Sequence, residues 1–156
     1  LPILSNSVEA MYQEIILDHY KNPRGTKPPS DCATMSHQVN PTCGDEVTVG
    51  VDVQDGHVSI AYEGVGCSIS LASASVMAEL LQGHSIDDAA RANQAFREMM
   101  QSKGQAEPDE DILGDGIAFV GVAKYPARIK CALLPWTALT DACIQAGIKL
   151  ETKESA

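Results

Sequence analysis

The sequence predicts helices packed against one face of a small antiparallel β-sheet, and two patterns support this prediction. Between Glu46 and Tyr62, apolar and polar residues alternate on both sides of Asp55-Gly56, which is typical of a β-hairpin. Before and after this region, apolar residues recur at the spacing of amphipathic helices. The chain has 156 residues, a length that suits one domain with a sizeable core, so residues 1–156 are expected to form a single domain.

The first element is a helix predicted over residues 7–20. Asn6 can cap this helix with Glu9 three residues later, and apolar side chains follow at helical spacing. The next ten residues, KNPRGTKPPS, contain three prolines and a glycine. Because this composition cannot continue a helix, residues 21–30 are expected to form a loop.

Three strands are expected to follow this loop. The alternating apolar residues of the hairpin are Val47, Val49, Val51 and Val53 in its first strand and Val58, Ile60 and Tyr62 in its second. The segment from Met35 to Val39 is predicted to pair as a third strand, which leaves one face of the sheet for helices to cover.

Two helices are predicted directly after the sheet. The first follows Cys67, contains small Ser and Ala residues that permit close packing, and ends near Gly83. The second begins at Ser85, where Asp88 completes a capping box, and extends to about Ser102.

The C-terminal third of the chain is predicted to be partly helical. Residues 104–115 are acidic and contain glycine, so they are expected to form a loop. Residues 117–124 are predicted to form a short helix. A final helix is expected to follow Cys131, with Pro135 in or just before its first turn.

The composition argues against several classes of function. Eleven Lys and Arg against 21 Asp and Glu give a net charge of -10, so the positive face that nucleic-acid binding requires is not expected. No stretch approaches the roughly 18 apolar residues of a membrane span, and the first residues lack the basic flank of a secretory signal. The expectation is a soluble, cytoplasmic protein that binds neither nucleic acid nor membrane.

The cysteines are the strongest functional signal. Their number, five, fits metal binding or thiol chemistry better than a closed disulfide framework. Cys43, Cys67 and Cys131 each lie where a loop meets regular structure, and the last two precede predicted helices, whose dipoles favour a thiolate. Asp45 can direct a carboxylate toward the same point. Three thiolates and a carboxylate can complete a tetrahedral zinc site, but their spacing is wider than in zinc fingers, and buried structural cysteines are the alternative interpretation.

The other cysteines and the histidines carry weaker signals. Cys143 shares an apolar helical face and is expected to lie in the core, whereas Cys32 lies in a polar loop. His19 ends the first helix, where a histidine usually caps carbonyl groups. No partner motif accompanies the other three histidines, His37, His57 and His84.

Four segments together resemble the U-type iron-sulfur assembly proteins, the IscU and SufU group. These segments are DHYKNPRG at 18–25, PTCGDE at 41–46, GVGCSISLASAS at 64–75 and YPARIKCALLPW at 125–136. They occur in the order of the family, and the resemblance extends from about residue 8 to residue 147. It implies an α+β fold in which helices pack around a three-stranded antiparallel sheet.

Two features resemble the SufU branch of this group more than the IscU branch. IscU-type scaffolds carry a histidine immediately before the third cysteine and a shorter span after the second. Here Lys130 holds that position, and the helix from Ser85 lengthens the span.

The resemblance to SufU implies a tightly held zinc ion and a transferase-like role. Such a protein relays sulfur from a SufS-type cysteine desulfurase to a downstream cluster-assembly complex. The ligands predicted for zinc are Cys43, Asp45, Cys67 and Cys131. The alternatives are a scaffold on which an iron-sulfur cluster is assembled and a purely structural zinc module.

A zinc ion with three thiolates and one carboxylate carries a net negative formal charge, so a cation is expected nearby. Lys124, Arg128 and Lys130 form a basic stretch with no acidic residue before Cys131. Arg128 is the candidate to hold Asp45 or a cysteine sulfur by a charge-assisted hydrogen bond. A solvated surface arginine is the alternative interpretation.

Cys43 is the predicted sulfur acceptor. Its neighbours Pro41 and Gly44 place it on the most exposed of the three cysteine-bearing loops. It can therefore leave zinc as a thiolate and attack the persulfide of a desulfurase, as thiol exchange requires. The family resemblance favours the same residue.

Overall fold

The computed structural model describes the backbone of residues 2–150 and the side chains of residues 8–150. Its helices are α1 (Pro2–Lys21), α2 (Ser68–Leu81), α3 (Ile86–Met100), α4 (Glu110–Leu113) and α5 (Pro126–Gln145), and its strands are β1 (Thr34–Asn40), β2 (Asp45–Gln54) and β3 (His57–Val65). Two 3₁₀ helices, Pro29–Asp31 and Gly114–Lys124, add to these. The predicted α+β class is confirmed. Within the described ranges, no helix is both long and apolar enough to cross a membrane.

The sheet has the strand order β1-β2-β3, and both strand pairs are antiparallel. Gln54 pairs with His57 across Asp55 and Gly56, whose φ angles are 55° and 76°. A two-residue turn with positive φ at both positions matches the twist of the flanking strands, so the predicted hairpin is confirmed. The side chains that bury one face of it are Val47, Val49, Val51, Val58, Ile60 and Tyr62.

Helices α2 and α5 lie on the sheet, α5 against β1 and β2 and α2 against β3. At their contact, the Ser73 hydroxyl donates to the Ala132 carbonyl at 2.6 Å and accepts the Trp136 indole N–H at 3.1 Å. The Trp136 ring stacks on Phe96, with ring centroids 4.6 Å apart. These contacts hold α2 against α5 beside Cys131, which immediately precedes Ala132.

Helix α5 begins earlier than the sequence predicts, at Pro126 instead of after Cys131. The N–H groups of the first helical turn have no intrahelical acceptor, so a proline there loses no hydrogen bond. A proline can therefore start a helix as well as end one. Cys131 therefore lies inside α5. Pro135 is also inside the helix and not at its start, so both predictions are wrong.

Two further boundaries differ from the predictions. Helix α1 begins at Pro2, earlier than expected, and the predicted cap by Asn6 involves a side chain outside the described ones. The predicted loop at 104–115 contains α4, because the Asp109 carboxylate accepts the N–H of Asp111 and caps a short helix. One of the acidic residues of this segment is a helix cap. Composition alone does not distinguish a capping aspartate from an acidic residue of a solvated loop.

His19 is fully buried and joins α1 to two other elements. Its Nδ1 lies 2.8 Å from the Ser75 hydroxyl in α2, and its Nε2 lies 2.8 Å from the Asp115 carboxylate in the second 3₁₀ helix. Because both ring nitrogens contact side chains, the prediction that His19 caps helix carbonyls is wrong. The histidine stabilises the packing of α1 next to the segment that leads into α5.

Candidate metal centre

Three of the four predicted ligands meet at the end of the sheet where β1 passes into β2. A carboxylate oxygen of Asp45 and the sulfurs of Cys43 and Cys131 all lie within 4.8 Å of one another. The two sulfur atoms are 3.5 Å apart. The three residues come from a loop, from the first residue of β2 and from the interior of α5, so the fold brings together groups that are distant in sequence.

Cys67, the fourth predicted ligand, also contacts Asp45. Its Sγ lies 3.5 Å from Asp45 Oδ2, and its backbone N–H donates to Asp45 Oδ1 at 2.8 Å. The Cys67 thiol also interacts electrostatically with that of Cys131. As predicted, Cys67 immediately precedes α2. The sulfurs of the three predicted cysteine ligands therefore all lie near the Asp45 carboxylate.

The Asp45 carboxylate is buried, and no cationic side chain among residues 8–150 pairs with it. Its residue has 0% exposed surface, and none of the ion pairs formed by residues 8–150 includes it. A buried carboxylate is costly unless it is paired or coordinates a metal. Three thiols around a carboxylate form a donor set that zinc prefers, so the residues present fit a zinc ion.

Cys131 differs from the expected helix-terminal thiolate. Burial raises the pKa of its thiol well above the usual range, and hydrogen bonds with Asp45 and Cys43 act in the same direction. The predicted lowering by a helix dipole is wrong for Cys131 because this residue lies inside α5 and not before it. A divalent cation bound at this position would favour the thiolate and release its proton.

The loop that carries Cys43 is a tight connection between the paired residues Asn40 and Asp45. The Asn40 carbonyl accepts the N–H groups of Cys43 at 3.2 Å and of Gly44 at 2.9 Å. Gly44 has a φ of 73°, a left-handed conformation that glycine adopts without strain. The loop leaves Cys43 exposed, as the sequence predicts.

Asn40 is a polar residue of the site that the sequence analysis missed. Its side-chain Nδ2 donates to Cys131 Sγ at 3.7 Å, and its Oδ1 accepts the Thr42 N–H at 3.2 Å. An asparagine that precedes a Pro- and Gly-containing turn commonly bonds a backbone N–H two residues later, and this local signal indicates the second contact. The contact with Cys131 has no local signal.

Gly66 allows the Asp45 carboxylate to lie against the start of α2. Its φ is 150°, and an added Cβ would overlap Asp45 Oδ1 and lie 2.9 Å from the Asp45 Cα. Any side chain at position 66 must therefore displace the carboxylate or the backbone of Asp45.

If the site binds zinc through Asp45 as predicted, we expect Gly66→Ala to weaken that binding by at least about tenfold, because it displaces the carboxylate. Competition with a chromophoric chelator measures this change. Gly121→Ala is the matched control, since an added Cβ at Gly121 meets nothing within 4 Å. Equal zinc affinity of the two variants would show that the position of the carboxylate does not matter.

Arg128 lies on the exposed surface of α5, with its guanidinium carbon 5.2 Å from the centre of the Tyr125 ring. This arrangement is a cation–π contact. Both residues line an open groove of about 760 Å³ that also includes Lys124 and Ser68, the residue that follows Cys67. The role of Arg128 in holding Asp45 or a cysteine sulfur stays a prediction.

The two remaining cysteines lie away from these contacts. Cys143 is fully buried, as predicted, and burial raises the pKa of its thiol to about 11. Cys32 packs against Gly50, and partial burial followed by the Asp52 carboxylate raises the pKa of its thiol. Neither thiol is favoured as a nucleophile at neutral pH.

A second group of potential metal ligands consists of His19, Glu79 and Asp115. The Arg24 guanidinium lies 3.3 Å from the Glu79 carboxylate and already supplies a positive charge there. Since both nitrogens of His19 are bonded to side chains, this group is best described as a hydrogen-bonded network.

The sequence is similar to proteins of iron-sulfur cluster assembly. A profile of the NifU-like N terminal domain matches residues 11–132. The zinc-dependent sulfurtransferase SufU of Bacillus subtilis (strain 168) is 44% identical over 135 residues, which cover 85% of this chain and 89% of that protein. The iron-sulfur cluster assembly scaffold protein IscU of Streptococcus pyogenes serotype M1 is 37% identical over 135 residues, covering 85% and 82%.

Two solved structures share the fold. One, from Fervidobacterium islandicum AW-1, is described as an iron-sulfur cluster assembly scaffold protein for the SUF system; it has a TM-score of 0.71 and 35% identity, covering 83% of this chain and 93% of that one. The other is the N-terminal part of a nitrogen-fixing NifU-like protein from Brucella abortus, with a TM-score of 0.75 and 28% identity, covering 85% and 92%. The similar proteins thus include a sulfurtransferase as well as scaffolds.

Proposed function

Since this chain belongs to the NifU-like N-terminal domain family, we propose that it is a zinc-dependent sulfur acceptor. It takes persulfide sulfur from a SufS-type cysteine desulfurase and relays it to a cluster-assembly complex. The observation that carries the proposal is a difference between two neighbouring thiols. The Cys43 and Cys131 sulfurs are 3.5 Å apart, yet Cys43 is exposed, whereas Cys131 is 2% exposed.

The ligands in this proposal are Cys43, Asp45, Cys67 and Cys131. Zinc held by them would keep the thiolates reduced and close together, because it has no redox chemistry of its own. Asp45, Cys67 and Cys131 are fixed by a strand, a helix start and a helix interior. Cys43, on its loop, is the ligand that can move without breaking regular structure.

The sulfur-transfer step takes place at the exposed thiol. The Cys43 thiolate attacks the outer sulfur of the persulfide Enz–S–SH on the desulfurase. A new S–S bond forms at Cys43, the S–S bond of the desulfurase breaks, and its cysteine leaves as a thiolate. The proton stays on the transferred sulfur, so the step needs no external oxidant or reductant.

A scaffold function is the second candidate, and the similarity to the Streptococcus pyogenes IscU supports it. Cysteine thiolates are also the usual ligands of iron-sulfur clusters. Against it, the exposed Lys130 stands immediately before Cys131, in the position where IscU-type scaffolds resemble one another in having a histidine. The higher identity to a zinc-dependent sulfurtransferase supports the relay.

Metal analysis followed by X-ray absorption tests the proposed zinc site. Protein purified without added metal is expected to contain one zinc per chain, with three sulfurs at ~2.3 Å and one oxygen at ~2.0 to 2.2 Å. Removal of the zinc should lower the melting temperature, because the ion binds only the folded site. A histidine in the coordination sphere, or fewer than three sulfurs, would contradict the ligand assignment.

A further inference from the structure

We infer that Asn40 is a positioning residue for sulfur acceptance. Its side chain holds Cys131 as the stationary ligand, and its backbone keeps the Cys43 loop close to Cys131. The inference rests on the proposed function, and it concerns a residue that is neither a ligand nor the acceptor. It explains how one of two adjacent thiols is retained while the other detaches and returns.

The side chain of Asn40 is fixed at both ends. It is 7% exposed at the last position of β1. Its amide nitrogen donates to Cys131 Sγ at 3.7 Å, and its amide oxygen accepts the Thr42 N–H at 3.2 Å. Because both ends are bonded, the amide has a single favourable orientation, with its N–H toward the sulfur.

The backbone of Asn40 holds two other ligands. Its carbonyl accepts the N–H groups of Cys43 and Gly44 at 3.2 and 2.9 Å. Asn40 also pairs with Asp45 across strands β1 and β2. Three of the four predicted ligands, Cys43, Asp45 and Cys131, are thus positioned relative to this one residue. When the Cys43 side chain leaves the metal, these bonds keep its loop close to the site.

The hydrogen bond to sulfur makes the two neighbouring thiols chemically different. An N–H donor withdraws electron density from a thiolate and stabilises its charge. The sulfur is then less nucleophilic and stays bound to the metal. Cys131 receives such a bond from Asn40. Among the hydrogen bonds of residues 8–150, the Cys43 sulfur receives none from an amide; its partner is the Cys131 thiol. Cys43 is therefore the more reactive of the pair.

Two variants of Asn40 separate this role from a purely structural one. Asn40→Asp keeps an oxygen for the Thr42 N–H and the backbone bonds of the loop, but it replaces the N–H donor with an oxygen that repels a thiolate. Asn40→Ala removes both side-chain contacts. The matched control is Asn93→Ala, because Asn93 is 3% exposed and its amide donates to the Leu150 carbonyl in another part of the fold.

The first readout is metal binding by the whole chain. We expect zinc affinity to fall about 10- to 100-fold in Asn40→Ala and further in Asn40→Asp, with no change in Asn93→Ala. In the cobalt-loaded proteins, the sulfur-to-cobalt charge-transfer band should move to longer wavelength in both Asn40 variants, since losing the N–H donor raises the energy of the sulfur lone pairs. A merely structural role would not move this band.

The second readout is the cysteine that carries the persulfide, mapped by mass spectrometry after incubation with a desulfurase. Wild-type protein should carry it on Cys43, and Asn40→Asp should carry at least about tenfold less there. A wild type that binds zinc but takes up no sulfur would contradict the proposed function, while the cobalt spectrum would still decide the role of Asn40.

Wild-type affinity and an unchanged cobalt spectrum in Asn40→Asp would overturn the inference. So would the failure of both Asn40 variants to fold even with excess metal, because Asn40 would then be a structural residue alone. A wild type without a tight zinc site would contradict both the inference and the proposed function.

Discussion

Replacing Cys43 with serine is expected to reduce sulfur uptake from a desulfurase to background. A serine hydroxyl does not attack a persulfide at neutral pH, and the neighbouring Cys131 is 2% exposed and cannot replace Cys43 as the acceptor. The fold should remain, because position 43 is an exposed loop residue. Mass spectrometry of the protein after incubation with the desulfurase and cysteine measures the uptake.

The matched controls for Cys43→Ser are Cys32→Ser and Cys143→Ser, which leave the four predicted ligands intact. Both should keep wild-type zinc content and sulfur uptake, and Cys143→Ser should lower the stability because it puts a hydroxyl into the core. Persistent uptake in Cys43→Ser, or loss of uptake in a folded, zinc-loaded control, would show that another cysteine is the acceptor.

Asp45→Ala is expected to slow sulfur uptake by at least about tenfold while leaving the fold intact. In the proposed site the carboxylate would be the one hard ligand among soft ones, so its loss should leave zinc with three sulfurs and weaker binding. The change also removes the Asp45 Oδ1 atom, which accepts the Cys67 N–H at 2.8 Å. Chelator competition gives the zinc affinity, and persulfide mapping gives the uptake.

Asp45→Asn is the control that separates charge from hydrogen bonding at this position, because the amide oxygen can still accept the Cys67 N–H. Asp52→Asn, at a half-buried carboxylate that accepts the Ala33 N–H, should behave as wild type. A scaffold would respond differently: Asp45→Ala would retain a reconstituted cluster longer than the wild type does. That result, with unchanged sulfur uptake, would favour the scaffold.

The sheet and the helix that follows it were predictable from local patterns. Val47, Val49 and Val51 alternate because one face of β2 is buried, and the Asp55-Gly56 turn has the chemistry of a two-residue hairpin. The start of α5 was not predictable in this way. A proline such as Pro126 is compatible with a loop and with the first turn of a helix, and tertiary packing decides between them.

The types of the candidate ligands were predictable, but their arrangement was not. Cys43 and Cys131 are 88 positions apart, and their 3.5 Å contact depends on the packing of α5 against β1. The contributions of Asn40 and Gly66 were missed for the same reason. One acts through a long-range hydrogen bond to Cys131, and the other through the absence of a side chain beside Asp45.

The most direct test of the account is to map persulfide sulfur on every cysteine after incubation with a SufS-type desulfurase, with zinc-loaded and zinc-stripped protein in parallel. We expect a colourless protein that accepts sulfur on Cys43 and does so only when zinc is bound. Uptake that is indifferent to zinc, in a brown protein with stoichiometric iron and sulfide, would contradict the account and establish the scaffold function instead.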